Sequence, residues 1–235
     1  MTVTAVLGLL GAAAVLSTAP SRAWRPALAR AGGFLGPLQH GGLRLLFLAV
    51  GGVGFALGSM NVWAVAMADR HGTAVRTDPA ALSIGSLVGG ILYGRRHWPG
   101  RLSSQLVTAA ILFAAAWVPL ALDPGPLAAT AFTALPGLFL TTLITSAFLT
   151  VDALAPAGTR TEAYAWLIAA VGTGQAAGTA LAGVLSTGPA AAALPTAGAV
   201  ACLGVVLGAR HRLATPGTTR PRGRHRHAPA HAAHR

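Results

Sequence analysis

The chain is poor in charge and in residues that carry chemistry. Its 235 residues include five acidic side chains, one cysteine and no lysine, and only 9% of them are charged. A soluble surface needs more charge than this, which argues against a soluble fold. The lone Cys202 excludes an intramolecular disulfide and a cysteine-based metal cluster. Because no histidine or carboxylate lies inside an apolar stretch, the sequence predicts no enzyme activity, no metal site and no cofactor.

Apolar residues make up 54% of the chain. A helix needs about 20 apolar residues to cross a hydrocarbon core of roughly 30 Å. None of the apolar segments alternates in polarity like a barrel strand. The sequence therefore predicts an all-α, polytopic membrane helix bundle of about seven transmembrane helices, the first and third of them short. The predicted spans cover 3–16, 45–68, 79–93, 102–122, 126–149, 162–185 and 189–207.

All seventeen basic residues are arginine, and they fall between the apolar segments. When the segments are counted as spans, Arg70 and Arg76 are alone on one side of the membrane and the other arginines are on the opposite side. The positive-inside rule then predicts cytoplasmic Arg-rich loops, a cytoplasmic C-terminus and an external N-terminus. Arginines placed in this way predict contact with membrane lipid and no nucleic-acid partner.

The same pattern divides the chain into four parts. Residues 1–18 are predicted to form one transmembrane helix, and 19–43 an Arg-rich cytoplasmic linker that also contains Pro and Gly. Residues 44–210 are predicted to form a six-helix transmembrane domain. The remainder, 211–235, is of low complexity, rich in Arg and His, and predicted to be a disordered basic tail.

Polar side chains inside the spans are the candidate functional residues, because such residues are expensive in lipid. Asn61 lies near the middle of the second span, and Gln175 near the middle of the sixth. Each suits either a solute-binding cavity or an interhelical hydrogen bond, and the sequence leaves both open. The hydroxyls of the fifth span can instead bond to their own helix. Glycines four residues apart, such as Gly54 with Gly58 and Gly174 with Gly178, predict close helix packing.

Two stretches carry a resemblance to a known family. Residues 82–96, LSIGSLVGGILYGRR, followed by Arg101, resemble the cytoplasmic loop between the second and third helices of a six-helix half in the major facilitator superfamily. Residues 151–166, VDALAPAGTRTEAYAW, lead into GTGQAAG at 172–178. These resemble the loop and penultimate helix of drug-efflux-like actinobacterial members.

The resemblance implies that the last six spans are the C-terminal half of such a transporter. The first span would be the final helix of the N-terminal half, whose first five helices are missing, so the chain would be a truncated or split portion. Its implied function is alternating-access transport of a small solute, as efflux, in a bacterial plasma membrane. Its partners would be the solute and a separate N-terminal half or a second copy of itself.

Site residues follow from the same resemblance. The second, third, fifth and sixth spans would line the cavity, with candidates at Asn61, Trp63, Thr142, Ser146 and Gln175. Gating at the cytoplasmic end would use Arg95, Arg96 and Arg101 against Asp152 or Glu162. Relatives often carry an acid where Asn61 stands, and its loss argues against ion coupling or cation recognition through this half. Gly94 takes the place of a motif aspartate, which reduces the gating contacts to those of the arginines with Asp152 or Glu162. The alternative is a non-transporting membrane protein that associates with or regulates another.

Overall fold

The structure is a computed structural model that describes residues 6, 9, 10, 13, 14, 16–18, 36–71, 78–95, 101–122, 126–156, 158–185 and 190–213. These residues are helical, with no strand among them. After a 3-10 turn at Pro37–Gln39 come α1 (Gly41–His71), α2 (Asp78–Arg95), α3 (Leu102–Ala116), α4 (Val118–Ala121), α5 (Pro126–Leu154), α6 (Arg160–Leu185) and α7 (Ala190–Ala209).

Within the described part of the chain, four helical stretches are long and apolar enough to cross a membrane: they cover Gly41–Ala66, Leu102–Leu120, Ala128–Leu154 and Arg160–Leu185. Two shorter apolar helices cover Ala80–Arg95 and Ala193–Ala209. The prediction of an all-α membrane helix bundle is confirmed. The count of seven spans stays a prediction, since the first predicted span is described at scattered positions only.

Several predicted boundaries differ from the structure; α5, for example, continues to Leu154, beyond the predicted end at 149. The span predicted over 102–122 divides into α3 and the short α4, with Trp117 between them. Pro119 explains the break, because proline lacks an N–H group and its ring clashes with the carbonyl of the preceding turn. Helix α1 begins at Gly41, inside the predicted linker. The rest of that linker before Gly36, and the tail beyond Leu213, lie outside the described residues.

Helix directions follow from the residues that meet. A Cβ atom on Gly174 would lie 2.0 Å from the carbonyl oxygen of Gly51, and one on Gly178 would lie 2.2 Å from that of Phe55. Both residue numbers rise together, so α1 and α6 are parallel. Helix α7 lies antiparallel to α1, because Gly52 meets Cys202 whereas Ala56 meets Gly198. Helix directions follow this pattern when successive helices cross a bundle in opposite directions.

Helices α2 and α5 form a second contact of the same kind. A Cβ on Gly85 would lie 2.0 Å from the carbonyl oxygen of Ala134, and one on Gly89 would lie 2.0 Å from that of Leu138. These helices are therefore also parallel and touch through their backbones. In lipid, where water does not drive helices together, small residues at such points allow close van der Waals packing.

The two contacts share one register. Gly51 and Ala134 are separated by the same number of residues as Phe55 and Leu138. Gly85 and Gly174 are likewise separated by the same number of residues as Gly89 and Gly178. Exchanging α1 with α5 and α2 with α6 thus maps one contact onto the other. The remaining extensive contacts, α1 with α7, α5 with α3 and α3 with α7, obey the same exchange when α3 is swapped with α7. The six longer helices therefore form two equivalent three-helix units, α1–α3 and α5–α7, which pack mainly against each other.

The arginines gather at one end of this bundle. Gly42, at the start of α1, lies against Arg212 after α7 and against Leu154 at the end of α5. The end of α2 and the start of α6 are at the same end, because α2 runs parallel to α5 and α6 parallel to α1. Arg44, Arg95, Arg101, Arg160, Arg210 and Arg212 all lie there. Arg70, near the end of α1, belongs to the opposite end.

Candidate functional site

Asn61 and Gln175 flank the contact between α1 and α6. A Cβ on Gly58 would lie 2.0 Å from the Gln175 carbonyl oxygen, and Asn61 follows Gly58 by one turn. The periodicity of the two parallel helices puts both amide side chains on the same side of that contact. Both are exposed. Uncharged amides at this depth favour a partner or water over lipid, so this open face is the candidate solute-facing surface.

The other predicted cavity residues are less accessible. Trp63 is buried, and Ser146 is fully buried with its hydroxyl donating to the Thr142 carbonyl at 2.8 Å. Thr142 itself is half-buried. Trp63 and Ser146 occupy equivalent positions in the two three-helix units, since they are separated by the same number of residues as Gly51 and Ala134. Both positions point into the helix packing, so the structure separates them from the exposed amides.

The predicted cytoplasmic gate also has different partners. Asp152 accepts a hydrogen bond from the Tyr164 hydroxyl, and Arg160 Nε lies 4.0 Å from its Oδ1. Asp152 therefore pairs within the α5–α6 connection, and not with the exposed Arg95 or Arg101. Both ion-pair partners are well exposed, at 61% for Arg160 and 44% for Asp152, so the pair is worth at most about 1 kcal/mol. Arg96 lies outside the described residues.

Glu162 is half-buried in the first turn of α6, and its Oε1 is enclosed without a hydrogen-bond partner among the described residues. The sequence TRTE at 159–162 is typical of a capping box, in which the glutamate bonds back to the first residue. Here the Thr159 N–H instead donates to the Pro156 carbonyl at 3.1 Å, as does its hydroxyl. The cap is thus replaced by a local turn, and the Glu162 Oε1 atom stays buried without a partner among the described residues.

A groove of about 820 Å³ opens on the other side of the α1–α6 contact. Helix α1 forms its floor, and α6 and α7 form its walls. Its volume falls within the roughly 300–1,000 Å³ range of small-molecule sites. The lining is almost wholly apolar and rich in glycine and alanine, with Arg44 at the arginine-rich end of the bundle. Neither Asn61 nor Gln175 lines this groove, so the bundle has two separate candidate surfaces.

Two hydroxyl residues bridge helices, and the sequence prediction did not single them out for this role. Thr141 Oγ1 on α5 donates to the Ser86 carbonyl on α2 at 2.9 Å, and Thr179 Oγ1 on α6 donates to the Gly58 carbonyl on α1 at 3.3 Å. Each lies beside a close glycine contact. The sequence feature that could have predicted this role is a hydroxyl residue close to a pair of glycines four residues apart.

Comparison with protein-family models, with curated proteins and with solved structures gives no significant match. The described residues include no group of three or more His, Cys, Asp or Glu side chains placed to hold a metal ion. The packing of the helices and the two surfaces are therefore the features that bear on function.

Proposed function

We propose that the chain is the C-terminal six-helix half of a secondary transporter of the major facilitator type. The observation that carries this proposal is the shared register of the two glycine contacts, Gly51 with Gly174 and Ala134 with Gly85. A unit with an odd number of spans reverses its direction in the membrane when repeated. Many secondary transporters are built from such inverted repeats, and those of this superfamily nest two three-helix repeats in each half.

The open face supplies the surface on which a solute would bind. Transporters of this kind bind their solute near the membrane midplane, between two halves. Asn61 and Gln175 offer uncharged amide donors and acceptors on an otherwise apolar face. Such a surface suits a small, largely apolar solute held by a few hydrogen bonds. Efflux of such compounds is the activity that we propose.

A second six-helix half must cover this face to complete the site. The partner that we propose is a separately made N-terminal half or a second copy of this chain. In either case Asn61 and Gln175 would pass from lipid contact into a shared, water-accessible cavity, which removes the cost of exposing them to hydrocarbon. In a bacterial plasma membrane, the arginine-rich end of the bundle would face the cytoplasm.

Cysteine accessibility tests this assignment in native membranes. The buried Cys202 is first replaced by alanine, and Asn61→Cys and Gln175→Cys are then introduced one at a time. We expect a membrane-impermeant, water-soluble thiol reagent to label both positions. Val200→Cys on the outer face of α7, where the side chain is 54% exposed, is the matched lipid-facing control and should stay unlabelled.

Labelling of all three positions to the same low extent would place the amides in lipid and favour the non-transporting alternative. Transport can be measured with ethidium as the probe. Liposomes that contain only the purified monomeric chain should not move the dye, because half of the binding site is missing. Robust ethidium transport by that monomer would contradict the half-transporter proposal.

A further inference from the structure

The apolar groove has the shape of a site for one lipid chain. Its floor runs from Arg44 through Gly51 to Phe55 on α1, and its walls include Ala177 on α6 and Ala201 on α7. The floor covers about three helical turns, or roughly 16 Å, which is close to half of a hydrocarbon core of about 30 Å. The groove thus crosses the leaflet at the arginine-rich end of the bundle and ends near mid-depth.

Positive charge marks the mouth of the groove. Arg44 is exposed, and its Nε donates to the Leu38 carbonyl, which fixes the guanidinium beside the opening. The Arg212 guanidinium lies close to Gly41, one turn earlier on α1. Within the described part of the chain, no carboxylate lies within 4.0 Å of either guanidinium, because the single ion pair there joins Arg160 and Asp152.

We propose that this groove binds one anionic phospholipid, with an acyl chain along α1 and the headgroup phosphate at Arg44. Guanidinium groups recognise phosphate through paired, charge-assisted hydrogen bonds. Basic pockets between transmembrane helices bind anionic headgroups for the same reason. The side chains of Val6, Leu9, Leu10 and Leu16 are exposed, so the described part of the N-terminal segment does not fill the groove. The proposal holds whether or not the chain transports a solute.

Native mass spectrometry of the delipidated full chain tests the headgroup part. The protein is titrated with phosphatidylglycerol and with phosphatidylcholine of the same acyl chains. We expect one saturable lipid and a preference for phosphatidylglycerol of about five-fold, the effect of one arginine near an anionic headgroup. Arg44→Gln should abolish that preference. Arg101→Gln, an exposed arginine at the same end but outside the groove, should leave it unchanged.

The acyl-chain part has its own matched pair of variants. Ala177 lines the groove and its neighbour Ala176 does not, although both are exposed on α6. Ala177→Leu shortens the groove and should weaken the binding of both lipids by the same factor. Ala176→Leu should leave the binding of both lipids unchanged. Equal binding of the two lipids by the unaltered protein would overturn the proposal. So would an equal loss in Arg44→Gln and Arg101→Gln, or a dimer that excludes the lipid.

Discussion

The contact between α1 and α6 and the contact between α2 and α5 have the same register but different chemistry. The first has five glycines: Gly174 lies against Gly51, and Gly54, Gly58 and Gly178 lie against Val171, Gln175 and Phe55. The second has three, Gly85, Gly89 and Gly137, with Ala134 at the position of Gly51 and Thr141 at the position of Gly58. Each contact also has one hydroxyl bond between its helices, from Thr141 to the Ser86 carbonyl at 2.9 Å and from Thr179 to the Gly58 carbonyl at 3.3 Å. One register can therefore be held with either five glycines or three.

The comparison also separates packing from chemistry. When α1 is exchanged with α5 and α2 with α6, Ile144 takes the position of Asn61, and Ser86 takes the position of Gln175. The exposed amides thus belong to one contact only, although the packing of both contacts is nearly the same. The repeated geometry is a property of the scaffold, and the polar groups distinguish one unit from the other.

The largest effect should come from adding a methyl group to the glycine-rich contact between α1 and α6. Gly174→Ala would place Cβ 2.0 Å from the Gly51 carbonyl, which forces α1 and α6 apart. We expect a loss of about 1–3 kcal/mol in the free energy of unfolding, measured by titration with a denaturing detergent. Gly172→Ala on the same helix meets nothing within 4 Å and should be neutral or stabilising. Equal losses in the two variants would mean that helix propensity, and not the contact, decides the result.

The corresponding change in the second contact tests whether the two are equivalent. Gly85→Ala would place Cβ 2.0 Å from the Ala134 carbonyl, as Gly174→Ala does for Gly51. We expect a similar but somewhat smaller loss, because the hydrogen bond from Thr141 to Ser86, at 2.9 Å, is shorter than the bond from Thr179 to Gly58, at 3.3 Å, that joins α1 and α6. Gly94→Ala, which meets nothing within 4 Å, is the control in the same assay. If Gly85→Ala left the free energy of unfolding unchanged, the two contacts would not be equivalent.

Removal of the bridging hydroxyl should have a smaller effect. Thr141→Val keeps the shape of the side chain but loses the bond to Ser86. Hydrogen bonds between membrane helices average about 0.6 kcal/mol, with a maximum of about 1.7 kcal/mol, and we expect a loss in that range. Thr173→Val is the control, since the Thr173 hydroxyl bonds only within its own helix, to the Ala169 carbonyl at 2.8 Å. A larger loss in the control would contradict a bridging role.

The smallest effect is expected at the start of α6. Arg160→Gln removes the exposed pair with Asp152 and should cost about 0–1 kcal/mol. Because salt screens exposed charges, the cost should shrink further at high ionic strength. The loss in the free energy of unfolding is measured at low and at high salt, and Arg101→Gln is measured beside it for comparison. A cost that does not change with salt would mean that Arg160 acts through packing.

Composition and glycine spacing were sufficient to predict a helical membrane bundle with close packing at Gly54, Gly58, Gly174 and Gly178. They could not say which helices meet, because glycines at one spacing fit any partner with the same spacing. The family resemblance placed Ser146 in one cavity with Asn61, although the structure buries Ser146. Helix α5 is apolar nearly all round, so no amphipathic stripe indicates which of its hydroxyls face inward.

The contact of Gly58 with Gln175 has a further consequence, for conformational entropy. Ordering a long side chain at an interface costs up to about 2 kcal/mol of rotamer freedom, and glycine has no rotamers to lose. The α1–α6 interface can therefore form, shift by a fraction of a turn and form again without freezing side chains at each step. The helix that carries Asn61 is attached to its neighbour by a contact in which five residues have no side chain to order.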